Sequence, residues 1–329
     1  MPDESIRTDS SCAYHSPGGD KCPNSSEHSE FCFWHDTETD KTGSDIMQRF
    51  ERYVHDGGFT QGLSLKNANL QGINLVRPKS AIGYDLTGCD LYKADLRGAH
   101  LFALRLTSGS IMKADLREAN INGCNFENSN LLGVRLSECK LDRIHLGTSL
   151  LQEQKARRSK SKAEADDLFQ QAEEIYRSLR KASEEQGLFS LGGHLIHKEL
   201  TMRRLTYPKF SSYRIQSKAI DLFCGYGEKP ANVVVFSLIF IIVCAFLYFF
   251  LGIQFNGELL QFSASSSSVV EGIKQFFVAL YFSVVTFTTL GYGDITPVGV
   301  SRVVAAIEAF AGAFTLALFV VVFVKKMTR

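Results

Sequence analysis

The chain is 329 residues long, carries 36 Lys plus Arg against 35 Asp plus Glu, is 45% hydrophobic and has a mean hydropathy of -0.04, values typical of a soluble protein of two or three domains. A net charge of +1 argues against a generic nucleic-acid binder, which needs a basic excess to neutralise phosphates, and it lends no support to an acidic mimic of DNA. The average hides a division, because only Glu258, Glu271, Lys274, Asp294, Arg302 and Glu308 are charged between 231 and 324.

The first 35 residues hold Cys12, His15, Cys22, Cys32 and His35, with two Cys-x-x-His pairs and His28 as a sixth metal-capable side chain. With cytoplasmic termini, argued below, the compartment is reducing, which disfavours a disulfide and favours zinc. Zinc prefers four Cys or His ligands in a closed tetrahedron, and a head this short and polar needs such a centre to fold. The order Cys-x9-Cys-x9-Cys-x-x-His resembles small metal-binding heads that precede pentapeptide repeats, which implies Cys12, Cys22, Cys32 and His35 as ligands. His15 in place of Cys22 is the alternative, and a disordered tail with unrelated thiols is the bland reading. The head is assigned to 1–45. Residues 1–11 have neither a basic start nor an apolar core, so no cleavable signal peptide is expected.

From Leu86 a large apolar residue recurs every five positions through Leu91, Leu96, Leu101, Leu106, Ile111, Leu116, Ile121, Phe126, Leu131, Leu136 and Leu141 to Leu146. Leu65, Leu70 and Leu75 begin the same pattern, and two positions before the large residue stands a mostly small one, such as Ala94, Ala99, Ala114 or Cys124. A period of five fits neither helix nor strand; it fits a solenoid that bends every five residues. The pattern resembles the pentapeptide-repeat family, which implies a right-handed quadrilateral β-helix over 60–147, with twenty residues per coil. A loop is expected between Val76 and Asp85. Tyr84, Leu104, Val134 and Ile144 are too large for the small slot, so a bulge or a solenoid end is expected at each. Cys89, Cys124 and Cys139 in that slot read as small buried hydrophobes.

A helical connector is assigned to 148–207. Leu168, Ala172, Ile175, Leu179 and Ala182 step by three and four, which predicts an amphipathic helix over 159–186. Gly187, Gly192 and Gly193 punctuate it, and 194–205 reads as an antiparallel partner. Ile215, Ala219, Leu222 and Phe223 share one face of 210–223, which is either a coupling element along the membrane surface or a linker.

The remainder, 208–329, reads as a pore domain. Residues 231–253 are uncharged and slightly longer than the ~20 needed to cross ~30 Å of hydrocarbon, and a second span runs over 302–325. Between them the apolar stretch 276–290 is too short to cross and reads as re-entrant, with a helix and filter over 270–296. Arg214, Lys218 and Lys229 precede the first span and Lys325, Lys326 and Arg329 follow the second, which places both termini in the cytoplasm.

Thr288, Thr289, Leu290, Gly291, Tyr292, Gly293 and Asp294 close the re-entrant stretch, and here the chain resembles the pore domain of tetrameric potassium channels with two spans per subunit. A dehydrated K⁺ needs rings of oxygens to replace its water, and backbone carbonyls from four copies supply them. Gly291 and Gly293 permit the unusual dihedrals this requires. The resemblance implies that the carbonyls of Thr289, Leu290, Gly291 and Tyr292, with the Thr289 hydroxyl, form the ion sites. Leu290 stands where Val is commoner, so altered packing behind the filter is expected. Asp294 matches an acid held in relatives by a Trp; Tyr281 and Phe282 stand there instead, and Val285 replaces a Glu found in some relatives. Gly225-Tyr226-Gly227 repeats the tripeptide without a preceding apolar helix and reads as a turn before the first span.

On the inner helix Gly312 falls at or beside the place of the family's flexible glycine, with hinge and close-packing site equally open. Leu316, Val320 and Val324 follow at four-residue steps as a candidate gate. Glu308 is an acid inside a span, which is either functional or, as favoured here, a buried hydrogen-bonding partner to the back of the pore helix.

The expected fold is therefore multidomain: an all-α two-span channel pore joined to a cytoplasmic β-helix and a helical connector. The expected function is passive K⁺ conduction by a homotetramer in the plasma or inner membrane, with K⁺ as permeant ion, Zn²⁺ as structural ion and the β-helix as a candidate gating element. A membrane-anchored pentapeptide-repeat scaffold with a secondary pore is the alternative. No catalytic constellation, regularly spaced Arg voltage sensor or phosphate-cradling loop is visible, so an enzyme, voltage gating and nucleotide control lack support. An unidentified protein or small ligand on the cytoplasmic part is left open, and nucleic acid is not expected.

Overall fold

The computed structural model describes residues 10–26, 29–261 and 269–327 and divides into two units, Met1–Arg214 and Ile215–Arg329. His28 and Arg329 lie outside the described residues.

The first unit opens with β1 (Ser10–Ser11) paired antiparallel to β2 (Ser25–Ser26). Helix α1 (Ile46–His55) follows, a helix that the sequence reading did not foresee. Its buried Ile46, Phe50 and Val54 recur every four residues, and Phe50 enters the same interior as Leu65, Leu70 and Leu75. Three apolar residues in ten make a weak periodic signal in isolation; burial against the first repeats supplies the stability.

The repeats wind with a constant step. Parallel bridges join Asp85 to Arg105, Arg105 to Asn125 and Asn125 to His145, each twenty residues on. Ser64 pairs with Asp90, Asn69 with Asp95 and Asn74 with His100, twenty-six residues apart, so the coil containing 76–84 carries six extra residues as a loop. The bridges are single residues rather than long strands, because the backbone turns again after five. From Gly88 to Arg143 every fifth residue has a left-handed φ of 53–77°. Glycine takes that conformation freely, whereas Lys93, Ala103 and Glu118 each take it at a cost of roughly 1 kcal/mol. Burying the leucine of the same repeat returns roughly 2 kcal/mol, so the corners hold. The bulge expected at Leu104 is not seen. Leu104 is 1% exposed and the ladder runs past it, because the residue at the same place one coil on is the small Cys124.

Beyond the repeats lie α2 (Leu151–Arg158), α3 (Lys162–Glu185) and α4 (Phe189–Thr206). The last repeats have backbone and side-chain edges to satisfy, and the helices meet them: Gln152 and Gln154 donate to Asn130 and Asn128 at 2.7 and 2.8 Å, and Gln186 accepts from the Leu141 amide. Ser161 caps α3 by accepting from the Glu164 amide. Gly192 and Gly193, expected to punctuate, lie buried inside α4. A Cβ on Gly192 would come within 3.2 Å of the Glu184 side chain, so that glycine serves close helix approach rather than a break.

The second unit holds most of α5 (Ser212–Cys224), a tight turn at 225–227 with φ +57° at Tyr226, and α6 (Pro230–Leu251). Strands β3 (Ile253–Phe255), β4 (Glu258–Leu260) and β5 (Ile295–Pro297) form a small antiparallel sheet in the order β4, β3, β5. Helices α7 (Val269–Phe287) and α8 (Ser301–Met327) complete it. Helices α6, α7 and α8 are all long and apolar enough to cross a membrane by length and composition. This corrects the expectation that the middle stretch is too short, since α7 extends back through Val269 to Gln275 and reaches 19 residues.

Its path nevertheless doubles back. Ser301 Oγ donates to the Gly252 carbonyl at 2.6 Å, and Lys325 donates to Glu228 at 2.6 Å, so α6 and α8 run antiparallel with matched ends. Helix α7 follows β4 at the sheet end of this pair and stops at Phe287, against Phe240 and Gly312 near the middles of α6 and α8. Residues 288–294 then return to β5, which pairs with β3 at the end where α7 began.

Candidate functional site

The returning segment carries TTLGYGD. Helix α7 runs on into it: the Thr288 amide and hydroxyl both bond the Val284 carbonyl, and the Leu290 amide bonds the Val285 carbonyl at 3.0 Å. Beyond that point φ is positive at Thr289 (58°), Gly291 (56°) and Gly293 (80°) and at neither Leu290 nor Tyr292. Such alternation turns successive peptide planes so that neighbouring carbonyls can share a side, which an ordinary strand cannot do. The glycines were legible from sequence; the left-handed Thr289 was not.

The supporting residues separate into two groups. Tyr281 lies close enough to Asp294 for its hydroxyl to interact with the carboxylate. Phe282 turns the other way, buried and edge-on to Tyr248 at 4.7 Å between centroids. Val285 is buried. Leu290 and Tyr292 stand 59% and 68% exposed, so in a single chain nothing packs against these side chains.

Gly312 and the candidate gate residues do not share an environment. Gly312 is buried against the end of α7, where a Cβ would collide with the Phe287 carbonyl, which favours the packing role. Leu316, Val320 and Val324 are all exposed. Glu308 is fully buried and meets Ser283 of α7 and Tyr248 of α6.

In the first unit Cys12, Cys22, Cys32 and His35 are all buried, with their ligand atoms within 4.8 Å of one another. His15 is exposed and bonds its own neighbour, the Ala13 carbonyl, so it stands outside the group. Cys12 Sγ lies 3.7 Å and Cys32 Sγ 3.2 Å from His35 Nδ1, and Cys22 Sγ lies 3.9 Å from Cys32 Sγ. Ligands on a tetrahedron with bonds of about 2.3 Å stand about 3.7 Å apart, so the group is the right size for zinc. The Gln61 carbonyl 2.8 Å from His35 Nε2 can only accept, which puts the ring proton on Nε2 and leaves the Nδ1 lone pair facing the sulfurs. The Cys32 amide donates to Cys12 Sγ, as amides do to metal-bound thiolates. Burial pushes the Cys22 thiol up to about 12. Tyr14 stacks on His35 at 4.1 Å.

Comparison with known families agrees with this division. Residues 235–329 match the ion channel family, and 111–147 match pentapeptide repeats in eight copies. The chain therefore joins pentapeptide repeats to an ion-channel domain, and neither family is an enzyme family. No curated protein matches the chain. Among solved structures, a pentapeptide repeat protein from the Arabidopsis thaliana thylakoid lumen is 24% identical over 28% of this chain and 58% of its own, with a TM-score of 0.24. HetL from the cyanobacterium Nostoc is 23% identical over 26% of this chain and 51% of its own, with a TM-score of 0.15. Rfr23 from the cyanobacterium Cyanothece is 23% identical over 28% of this chain and 86% of its own, with a TM-score of 0.14. The chain thus spans little more than half the length of the first two.

Proposed function

We propose that this chain is one subunit of a potassium-selective channel. The observation that carries the reading is the TTLGYGD segment, with φ alternating in sign from Thr289 to Gly293, at the end of a helix that enters and leaves on one side of an antiparallel helix pair. Four copies about an axis would stack the carbonyls of Thr289 to Tyr292 into rings able to replace the water of K⁺. The exposed Leu290 and Tyr292 side chains support assembly, because a neighbouring subunit would cover them. Helix α7 ends near mid-depth, where its C-terminal carbonyls favour a cation.

In this reading α6 and α8 span the plasma or inner membrane, α7 is re-entrant, and both termini lie in the cytoplasm as the flanking Lys and Arg suggest. Leu316, Val320 and Val324, open on α8, line an apolar constriction. The repeats form a quadrilateral β-helix, supported by the twenty-residue bridge step, and act on the gate through the connector. Cys12, Cys22, Cys32 and His35 hold one structural Zn²⁺, which would fasten the head to the first repeat through the His35 to Gln61 hydrogen bond.

Purified protein reconstituted in liposomes tests the function by K⁺ and Na⁺ flux. A K⁺ flux well above the Na⁺ flux is expected; equal fluxes, or no flux under any condition tried, would refute selective conduction.

A further inference from the structure

We infer that Glu308 is a positioning residue for the selectivity filter, locking the pore helix to the inner helix from behind. The inference rests on the channel reading and adds to it the device that holds the filter.

An acid in the middle of an apolar helix is costly unless its oxygens are satisfied. Glu308 is 0% exposed, and both of its oxygens are occupied: Tyr248 Oη lies 2.6 Å from Oε2, and Ser283 Oγ lies 2.5 Å from Oε1. Ser283, also fully buried, lies 2.8 Å from the Ile241 carbonyl as well. One hydroxyl proton cannot serve both the carbonyl and the acid. The set closes if Glu308 carries a proton, donates it to Ser283 Oγ and accepts from Tyr248, while Ser283 donates to Ile241. Every polar atom of the three side chains then has a partner, and one side chain of α8 binds α6 and α7 together.

The position of this knot matters. Ser283 lies five residues before Thr288 on α7, and Glu308 lies one turn before Gly312, whose bare Cα faces the Phe287 carbonyl. Helix α8 therefore grips α7 at two points a turn apart, just behind the filter. Val285 offers no carboxylate near Asp294, and the phenol of Tyr281 is the one side-chain brace seen at the filter mouth among the described residues. Glu308 supplies the second brace from the inner helix, so a displacement of α8 reaches the filter directly.

Glu308→Gln keeps one donor and one acceptor at the same place, whereas Glu308→Ala and Ser283→Ala remove the link. Full-length tetramers of each in liposomes are assayed for the K⁺ to Na⁺ flux ratio and, in parallel, for thermal stability of the assembly. About a tenfold fall in the flux ratio is expected for Ser283→Ala, equivalent to about 1.4 kcal/mol of lost discrimination. A fall at least as large is expected for Glu308→Ala, and Glu308→Gln keeps the wild-type ratio. A merely structural role would lower assembly stability and leave the ratio of surviving channels unchanged; that result overturns the inference. If Glu308→Ala does not assemble, Ser283→Ala decides alone. An unselective wild type overturns the channel reading, and this inference with it.

Discussion

Glu199 accepts from Arg180 Nε at 2.8 Å while 5% exposed, and Arg177 and Arg203 close on its other oxygen at 3.2 and 3.3 Å. One buried carboxylate of α4 thus bridges three guanidiniums, two of them reaching across from α3, and Glu173 and Glu184 of α3 balance the remaining charge. Removing it leaves Arg180, itself 18% exposed, with Glu184 at 2.8 Å but without its bond to α4. Breaking a buried pair costs about 3–5 kcal/mol, and because Arg177 and Arg203 are 40% and 41% exposed and can rehydrate, the lower end applies. Glu199→Ala is expected to destabilise the α3–α4 hairpin by about 3 kcal/mol. Hydrogen exchange over 162–206 in the full chain should accelerate accordingly, and unchanged protection there contradicts the assignment.

The repeats should weaken in acid. Side-chain hydrogen bonds from Arg117, at 2.8 and 2.6 Å, hold Asp115 below the usual carboxylate range, and Arg97 does the same for Asp95. A depressed folded-state value means that the unfolded chain binds protons first as pH falls. The stabilisation is complete well above the unfolded value of about 3.9 and is lost as pH drops through the lower folded values. Melting of the solubilised protein, followed by circular dichroism between pH 7 and 3, should show a falling midpoint below about pH 4.5. Asp115→Asn should flatten part of that fall and lower the midpoint at pH 7; a variant that keeps the full acid dependence counts against the pairing.

The parts legible in the sequence were those whose chemistry is periodic or dense. Thirteen large residues in step from Leu86 give a five-residue period, whose resemblance to pentapeptide repeats implies a twenty-residue coil, and the TTLGYGD run between two apolar stretches marks a candidate pore segment. What escaped depends on contacts between distant residues. The left-handed corners were visible in outline, since Gly88, Gly98, Gly123 and Gly133 share one phase, but Lys93, Ala103 and Arg143 at the same phase obscure it. Helix α1 is set by burial of Phe50, and Gly192 of α4 is set by the proximity of α3. A partner for Glu308 on the pore helix was expected, but that it is Ser283, and that Tyr248 joins it, could not be read, because they lie 25 and 60 residues away.

The head contains the only tryptophan of the chain, Trp34, 5% exposed between Phe50 at 5.2 Å and Tyr53 at 5.1 Å. It lies between two proposed zinc ligands, Cys32 and His35, and reports on their state. Metal analysis of purified protein should find about one zinc per chain. A strong chelator should release it and shift Trp34 emission to the red as the head loosens, and Cys32→Ser should show both effects without chelator. Zinc-free protein with blue-shifted Trp34 emission would retire the centre.

Gly312 separates two accounts of the inner helix. If it is only a hinge, Ala is a mild change: helix propensity rises by about 1 kcal/mol, the helix stiffens, and channels assemble normally but open less. The structure predicts otherwise, because a Cβ at Gly312 would strike the Phe287 carbonyl, a backbone atom next to the proposed filter that cannot rotate away. Overpacking of this kind costs about 1–3 kcal/mol at each site, and the proposed tetramer would meet it four times. Gly312→Ala should therefore lower the thermal stability of the tetramer and disturb the filter, reducing the K⁺ to Na⁺ flux ratio as well as the total flux. Leu316→Ala, one turn further on at an exposed position, should leave stability nearly unchanged and alter only the total flux. Intact stability and selectivity in Gly312→Ala, with flux reduced alone, would favour the hinge and remove one of the two contacts by which α8 holds α7.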